Sequence, residues 1–131
     1  MPNATRELEG DLAEWLLMAQ QLFDSGERFP YVVCLKDGTY VGHVTATPDD
    51  EGHVTFGYWC HVDHLRHGYM SEAVAALIDH FSPATFVIHC NEENQASQGV
   101  ARKTGFVHVG FDSRGDYREM RWERVVGDSY N

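Results

Sequence analysis

Histidines and a single glycine are concentrated between His61 and Phe81, in the stretch HVDHLRHGYMSEAVAALIDHF. Histidine side chains bind metal ions or transfer protons near neutral pH, so this stretch is a first candidate site. The side chains that could be drawn as zinc ligands are those of Cys60, His61, His64 and His67. The spacing H-x2-H-x2-H matches no usual structural zinc site, and no second cysteine pair lies nearby. We therefore expect no metal and keep a metal-binding structural protein as an alternative.

Gly68 and its neighbours predict a site for an anion. The β-rich run HVTFGYWCHV leads into the loop, and an amphipathic helix begins directly after the glycine. The first backbone N–H groups of a helix have no intrahelical partner, and the helix dipole makes that end positive. The glycine lets the backbone approach a ligand, and Arg66 and His67 add basic groups. Phosphate is the ligand that such a loop fits best.

A second group of polar side chains lies in NEENQASQGVARKTGF, residues 91–106. Asn94 is a candidate N-cap of a helix, and Ser97 lies one turn into that helix. Gly105 is typical of the left-handed residue that ends a helix. Plain helix capping for Asn94 and a solvated helix serine at Ser97 remain open as structural interpretations.

Hydrophobic periodicity predicts the elements that position these residues. Apolar residues at steps of three and four indicate a helix over Leu8–Phe23, and a second helix with Val74 and Ile78 on its apolar face ends before Pro83. Six strands are predicted, at Tyr31–Leu35, Tyr40–Ala46, His53–Val62, Thr85–Cys90, Phe106–Phe111 and Tyr117–Val125. Asp37-Gly38 predicts a hairpin turn, and Gly57 indicates a bulge or a close backbone approach. This order predicts an α/β or α+β domain on a mixed sheet.

Length and composition limit the class of protein. The 131 residues suffice for one domain, residues 1–131, with one core. The net charge of −10 argues against nucleic-acid binding. No apolar run reaches the length of a membrane span, and the first residues lack the basic start of a signal peptide. The three cysteines are widely spaced and lie in apolar runs, which favours free thiols and a cytoplasmic location.

Taken together, GYW…HGYMSEA and N-x-x-N-x-x-S…K-x-G-F resemble the GNAT acetyltransferases, and within them the RimJ/RimL-type N-acetyltransferases. The resemblance covers about Leu12 to Val125. It implies a GNAT-like mixed, mostly antiparallel sheet with flanking helices, in which the central parallel strands, His53–Val62 and Thr85–Cys90, splay apart. It also implies acetyl-CoA as co-substrate. The implied acceptor is a primary amine, either a protein N-terminus or a small molecule.

The same resemblance implies roles for individual residues. The groups that face pantetheine and the acetyl carbonyl are the backbone of Cys60, His61 and Val62, with one N–H as the oxyanion donor. The residues that hold the pyrophosphate are Leu65, Arg66, His67, Gly68, Tyr69, Met70 and Ser71. Asn91 and Asn94 contact the cofactor arm, and Ser97 is the candidate acid for the departing thiolate.

The site departs from the family pattern in its loop and at the position of the base. The family loop reads Q/R-x-x-G-x-G/A, whereas this chain has LRHGYM, in which Leu65 replaces the polar first residue and Met70 replaces a small residue. Thr55 stands where a glutamate base is frequent, so His61 becomes the candidate general base. The alternative to an enzyme is a non-catalytic acyl-CoA-binding module.

A third departure concerns the start of the chain. The strand and helix that precede the match of Leu8–Phe23 in the family have no counterpart in this sequence. We therefore expect the strand at Tyr31–Leu35 to be an uncovered sheet edge. Such an edge tends to recruit another chain, which predicts a homodimer.

Overall fold

The computed structural model describes Glu14 and residues 17–127. Glu14 and residues 17–25 are helical, and this described part of the first helix is called α1. The helix ends at Gly26, which has the left-handed φ of 76°. The C-terminal part of the predicted helix Leu8–Phe23 is thus confirmed, while residues 8–13 and 15–16 lie outside the described part. None of the helices described is long and apolar enough to cross a membrane.

Six strands form one sheet in the described residues, in the order β1-β2-β3-β4-β6-β5. Their bounds are Phe29–Cys34 (β1), Tyr40–Pro48 (β2), His53–Cys60 (β3), Ala84–Cys90 (β4), Val107–Arg114 (β5) and Tyr117–Val126 (β6). The β3–β4 pair is parallel, and every other neighbouring pair is antiparallel. The mixed, mostly antiparallel sheet is therefore confirmed. The third strand ends two residues before its predicted end, because Val62 begins a short 3₁₀ turn, Val62–His64.

Two further helices cover one face of this sheet. They are α2, Tyr69–Phe81, and α3, Gln95–Lys103. Met70, Val74 and Ile78 of α2 are buried in the core together with side chains from the sheet. The rings of Phe56 on β3 and Phe86 on β4 also belong to this core and stack with their centroids 5.5 Å apart. We call this the helical face, and the other side of the sheet the opposite face.

The two parallel strands separate at their carboxyl ends. Their pairing begins at His53↔Thr85 and stops at Phe56↔Ile88, although β3 continues to Cys60 and β4 to Cys90. The predicted splay of the central strands is thus seen in the register. It opens a gap between Gly57–Cys60 on one side and His89–Cys90 on the other.

The glycines of the central strands differ from the sequence-based expectation. Gly57 pairs with Thr45 without a register shift, and a Cβ at Gly57 would meet nothing within 4 Å. The expectation of a bulge or a close approach at Gly57 was therefore wrong. The close approach lies at Gly42 of β2, where a Cβ would stand 2.1 Å from the Trp59 carbonyl oxygen. The register, which decides this, is set by both strands together and is not visible in either alone.

Candidate active site

A groove of about 540 Å³ lies on the helical face where β3 and β4 separate. Its walls are the end of β3, the loop before α2, the first turn of α2 and one side of α3. Of the residues predicted to bind a ligand, those that line it are Cys60, Leu65, Arg66, Gly68, Tyr69, Met70, Ser71, Asn94 and Ser97. The structure thus brings these residues together in one groove, and their contacts with a ligand stay a prediction.

One end of the groove is suited to an anion. Gly68 is the N-cap of α2 with a left-handed φ of 80°, and the first helical bond runs from the Glu72 N–H to the Gly68 carbonyl over 3.0 Å. The N–H groups of residues 69–71 therefore have no partner inside the helix. The ammonium of Lys103, on α3, would lie 3.3 Å from a Cβ at Gly68. Free N–H groups, a helix N-terminus and this cation together fit a pyrophosphate.

The loop residues contribute unequally to this end. Arg66 is exposed and has a left-handed φ of 65°, which non-glycine residues seldom adopt. His67 is exposed and stacks on Tyr69 with ring centroids 5.4 Å apart, outside the groove wall. Met70 is only 5% exposed and packs into the core. Its side chain is therefore anchored in the core, which explains how the loop accommodates it at a position where the family has a small residue.

At the other end of the groove, the register decides which backbone groups are free. The His61 N–H donates to the Val41 carbonyl over 2.8 Å, so it is used in pairing with β2. Because donors alternate along a strand, the N–H groups of Tyr58 and Cys60 point the other way, toward β4. The β3–β4 pairing has already ended there, so these two N–H groups face the gap. Of the three predicted oxyanion donors, the His61 N–H is therefore already used in the sheet, whereas the Cys60 N–H is free at the groove. Val62 lies in the 3₁₀ turn, is 71% exposed and does not line the groove.

Two hydroxyl groups meet beside the gap. The Tyr58 hydroxyl lies 2.8 Å from Ser97 Oγ and donates to the Ser97 carbonyl over 2.9 Å. Ser97 is buried and also hydrogen-bonds the thiol of Cys90, whose pKa is raised mainly by burial. Burial raises the pKa of Tyr58 to about 12, against the opposing effect of its bond to Ser97. Both hydroxyls therefore carry their protons at neutral pH.

The two predicted asparagines have clear structural roles. Asn94 is the N-cap of α3 and accepts the Ser97 N–H over 3.0 Å, which confirms the capping interpretation. Asn94 also lines the groove, so capping and ligand contact are compatible there. Asn91 is exposed, accepts the Glu93 N–H over 2.9 Å and lies outside the groove wall. Its contact with a ligand remains a prediction without support from the groove.

The ring of His61 is placed unfavourably for a base. Its Nδ1 accepts the Asp63 N–H over 3.0 Å at the start of the 3₁₀ turn, and the residue is 9% exposed. Because Nδ1 is an acceptor in this bond, the neutral ring carries its hydrogen on Nε2. Neither nitrogen then has a free lone pair for a proton unless this cap is broken. The role of His61 as a base stays a prediction, which this geometry does not favour.

The four residues first considered as zinc ligands do not form a ligand cluster. Among the described residues, the histidine, cysteine and carboxylate side chains that approach one another within 4.8 Å as a group of three are Asp49, Glu51 and His53. They lie in the turn before β3, where Asp49 Oδ1 accepts the N–H groups of Glu51 and His53 at 2.8 and 3.0 Å. These hydrogen bonds belong to the turn itself, so the turn explains why the three side chains lie close together.

Among the groove residues that were not predicted as site residues, Tyr58 and Lys103 carry polar groups that the site uses. Tyr58 was interpreted as core or pocket wall, and Lys103 was noted only as part of the second motif. Both interactions cross between elements that are far apart in sequence: Tyr58 lies 39 residues before Ser97, and Lys103 lies 35 positions after Gly68. Two signals in the sequence could have found them. Lys103 lies at the end of the helix that Asn94 begins, and Tyr58 lies in the strand that leads into the Gly68 loop.

Comparisons with known proteins agree with this geometry. The model of the acetyltransferase (GNAT) domain matches residues 2–107. The ribosomal-protein-serine acetyltransferase of Escherichia coli (strain K12) is 38% identical over 73 residues, which are 53% of this chain and 41% of that protein. The chain therefore spans about two-fifths of the length of that curated relative.

Solved structures show the same fold. A structure described as a ribosomal-protein-serine acetyltransferase from Vibrio cholerae superposes with a TM-score of 0.76 at 21% identity, covering 86% of this chain and 72% of that one. The microcin self-immunity acetyltransferase MccE, in complex with acetyl-CoA and AMP, superposes with a TM-score of 0.81 at 19% identity, covering 89% of this chain and 71% of that one.

Proposed function

The chain belongs to the acetyltransferase (GNAT) domain family, and from that membership we propose that it transfers an acetyl group from acetyl-CoA to a primary amine. The amine attacks the thioester directly while both substrates are bound. The observation that carries this proposal is the groove itself. It joins an anion site at Gly68 to free backbone N–H groups and paired hydroxyls where the central strands separate.

The polar groups at the two ends of the groove support acetyl-CoA as the donor. Pyrophosphate is held at the α2 N-terminus by the N–H groups of residues 69–71, with Lys103 supplying positive charge. The Cys60 N–H, directed into the gap, donates to the thioester carbonyl oxygen as negative charge develops on it. These groups are fixed by the fold and need no rearrangement when the reaction occurs.

Tyr58 stabilises the departing thiolate by turning its single hydroxyl hydrogen from the Ser97 carbonyl, which accepts it in this structure, to the sulfur, while Ser97 Oγ stays bonded to the Tyr58 oxygen. A full proton transfer from a hydroxyl of pKa about 12 to a thiolate whose acid has an ordinary pKa of about 8.5 costs roughly 5 kcal/mol. The hydroxyl therefore keeps its proton while charge develops on sulfur, and water supplies the final proton. Ser97 holds the Tyr58 hydroxyl in place, which is a different role from the acid predicted for it.

The proposed acceptor is the α-amine of a protein N-terminus. The support is the similarity to the Escherichia coli ribosomal-protein-serine acetyltransferase. An α-amine has an ordinary pKa of about 7.7–8.0, so roughly a tenth of it is in the neutral, nucleophilic form at pH 7, which is a far larger fraction than for a lysine amine.

The three cysteines are free, which supports the proposal of a reducing, cytoplasmic location.

The test measures CoA release from acetyl-CoA with a hexapeptide that begins with serine. Its N-acetylated form and a hexapeptide with a lysine but a blocked N-terminus are the matched controls. We expect release with the free α-amine alone. Acetyl-CoA at millimolar concentration should also raise the melting temperature, because a ligand that binds the native state stabilises it.

The outcomes separate the two functions considered. Stabilisation by acetyl-CoA without release from any amine identifies a non-catalytic acyl-CoA-binding module. Neither stabilisation nor release overturns the proposed donor.

A further inference from the structure

His89 is a titratable residue outside the groove that lies next to the gap. It is the next residue after the last β3–β4 pair, Phe56↔Ile88, and side chains alternate along a strand. Because Ile88 is buried in the core on the helical face, the His89 side chain points to the opposite face. Directly across the gap stands Gly57, where a Cβ would meet nothing within 4 Å. The space beside His89 is therefore open toward β3.

The ring of His89 is held in one orientation by a carboxylate. Its Nε2 lies 2.7 Å from Asp112 Oδ2, and the histidine side chain is 15% exposed. The same carboxylate oxygen accepts from Arg121 over 2.9 Å, and Arg121 also pairs with Glu123 at 2.6 Å. The bonds from His89 and Arg121 hold the pKa of Asp112 below its usual range. An ionised Asp112 accepts a hydrogen at Nε2, which leaves the lone pair of the neutral ring on Nδ1.

The charged groups that surround His89 come from two strands. Asp112 lies on β5, whereas Glu119, Arg121 and Glu123 lie on β6. On β3, the positions facing it are Thr55 and Gly57, which do not titrate. Nδ1 has no hydrogen-bond partner among the described residues. The three carboxylates outnumber Arg114 and Arg121, which pair with them, so this face keeps a small excess of negative charge that attracts an ammonium group.

We propose that His89, oriented by Asp112, is the general base that takes a proton from the acceptor amine, which reaches the gap from the opposite face of the sheet. This rests on the proposed function, because it assigns the acceptor side of the same site. The acyl donor occupies the helical face, so the two substrates meet through the gap. His89 is the catalytic residue in this arrangement, and Asp112 is a positioning residue.

The chemical step balances with these groups. The amine nitrogen forms a bond to the acetyl carbon, and His89 Nδ1 takes the proton that this nitrogen loses. The carbon–sulfur bond breaks with its electron pair on sulfur, where the Tyr58 hydroxyl donates a hydrogen bond. The sulfur then gains a proton from water and the imidazolium loses one to water, so the products are an amide and a thiol.

The first test compares His89→Gln with His80→Gln in the full chain. His80 is exposed in the last turn of α2, remote from the gap, and its replacement should change nothing. His89→Gln should lower kcat/KM for the serine-initiated hexapeptide by about 100-fold or more, the usual contribution of a general base. It should also change the shape of the acidic limb of the pH–rate profile, where the peptide amine then titrates alone, while leaving the stabilisation by acetyl-CoA intact. Equal rates for the two variants overturn the role of His89 alone, whereas an inactive wild type overturns the proposed function.

The second test reads the tautomer of His89 without any turnover. Nitrogen NMR of the wild type, assigned by comparison with His89→Gln, should show the hydrogen of the neutral ring on Nε2. Asp112→Ala should remove that preference, and it should lower kcat more than it raises KM for the peptide. A neutral His89 that carries its hydrogen on Nδ1 overturns the proposal, because that nitrogen then cannot accept a proton.

Discussion

At the scale of single residues, the protonation of Tyr58 and its bond to Ser97 determine the leaving-group side of the reaction. Tyr58→Phe keeps the ring and its packing but removes the hydroxyl. We expect kcat to fall about 10- to 100-fold while the affinity for acetyl-CoA changes little, because charge on sulfur exists only in the transition state. Steady-state kinetics with the serine-initiated hexapeptide and acetyl-CoA binding by calorimetry measure the two quantities.

Ser97→Ala distinguishes a positioning role from that of the acid. A positioning residue gives a smaller loss of kcat than Tyr58→Phe, and the double variant is no worse than Tyr58→Phe alone. Tyr117→Phe is the matched control, since Tyr117 is 60% exposed in the β5–β6 hairpin. A larger loss in Ser97→Ala than in Tyr58→Phe would return Ser97 to the role of the acid.

At the scale of elements, the α2 N-terminus and Lys103 of α3 determine the binding of the donor. Gly68→Asp places a carboxylate where the pyrophosphate is held and requires a left-handed backbone that an aspartate adopts at some cost. We expect this variant to lose the rise in melting temperature that acetyl-CoA gives the wild type. For the wild type at 100 times Kd, that stabilisation is about 2.7 kcal/mol.

Gly52→Asp is the matched control for this prediction. Gly52 has a φ of 81°, against 80° at Gly68, and it lies in the turn before β3, at the opposite end of that strand from the groove. The new side chain, its charge and the backbone strain are therefore the same, and the distance from the groove differs. A loss of stabilisation in both variants would mean that the strain, rather than the position of the charge, weakens binding.

The elements themselves were largely predictable, whereas the pairing between them was not. Asp37-Gly38 forms its hairpin as expected, with Gly38 at a φ of 93° and Asp37 Oδ1 accepting the Thr39 N–H over 2.9 Å. Turn and cap chemistry is local, so the sequence contains it. The direction of the His61 N–H depends on how β2 and β3 pair, so it cannot be predicted from the residues around His61 alone.

At the scale of the whole molecule, β1 is an edge of the sheet. In the described part of the chain it pairs with β2 alone, and Val32 is 38% exposed. The His61–Val41 bond fixes the alternation across β2, so Gly42 and Val44 direct their backbone groups to Val33 and Tyr31. The Val32 N–H therefore faces outward, away from the sheet, and Pro30 on the same edge has no N–H to offer.

We expect the protein to form a dimer through β1, because an edge strand with free N–H and C=O groups and apolar side chains pairs with another such edge. An antiparallel, two-fold pairing is closed and stops at two chains.

Val32→Pro removes an outward N–H and should yield a folded monomer. Val33→Pro is the contrasting variant: since Val33 pairs with Gly42 of β2, it should lower the melting temperature as well. Sedimentation velocity at micromolar concentration measures the assembly, and circular dichroism the fold. A wild type that sediments as a monomer, or a Val32→Pro variant that remains dimeric, contradicts pairing through this edge.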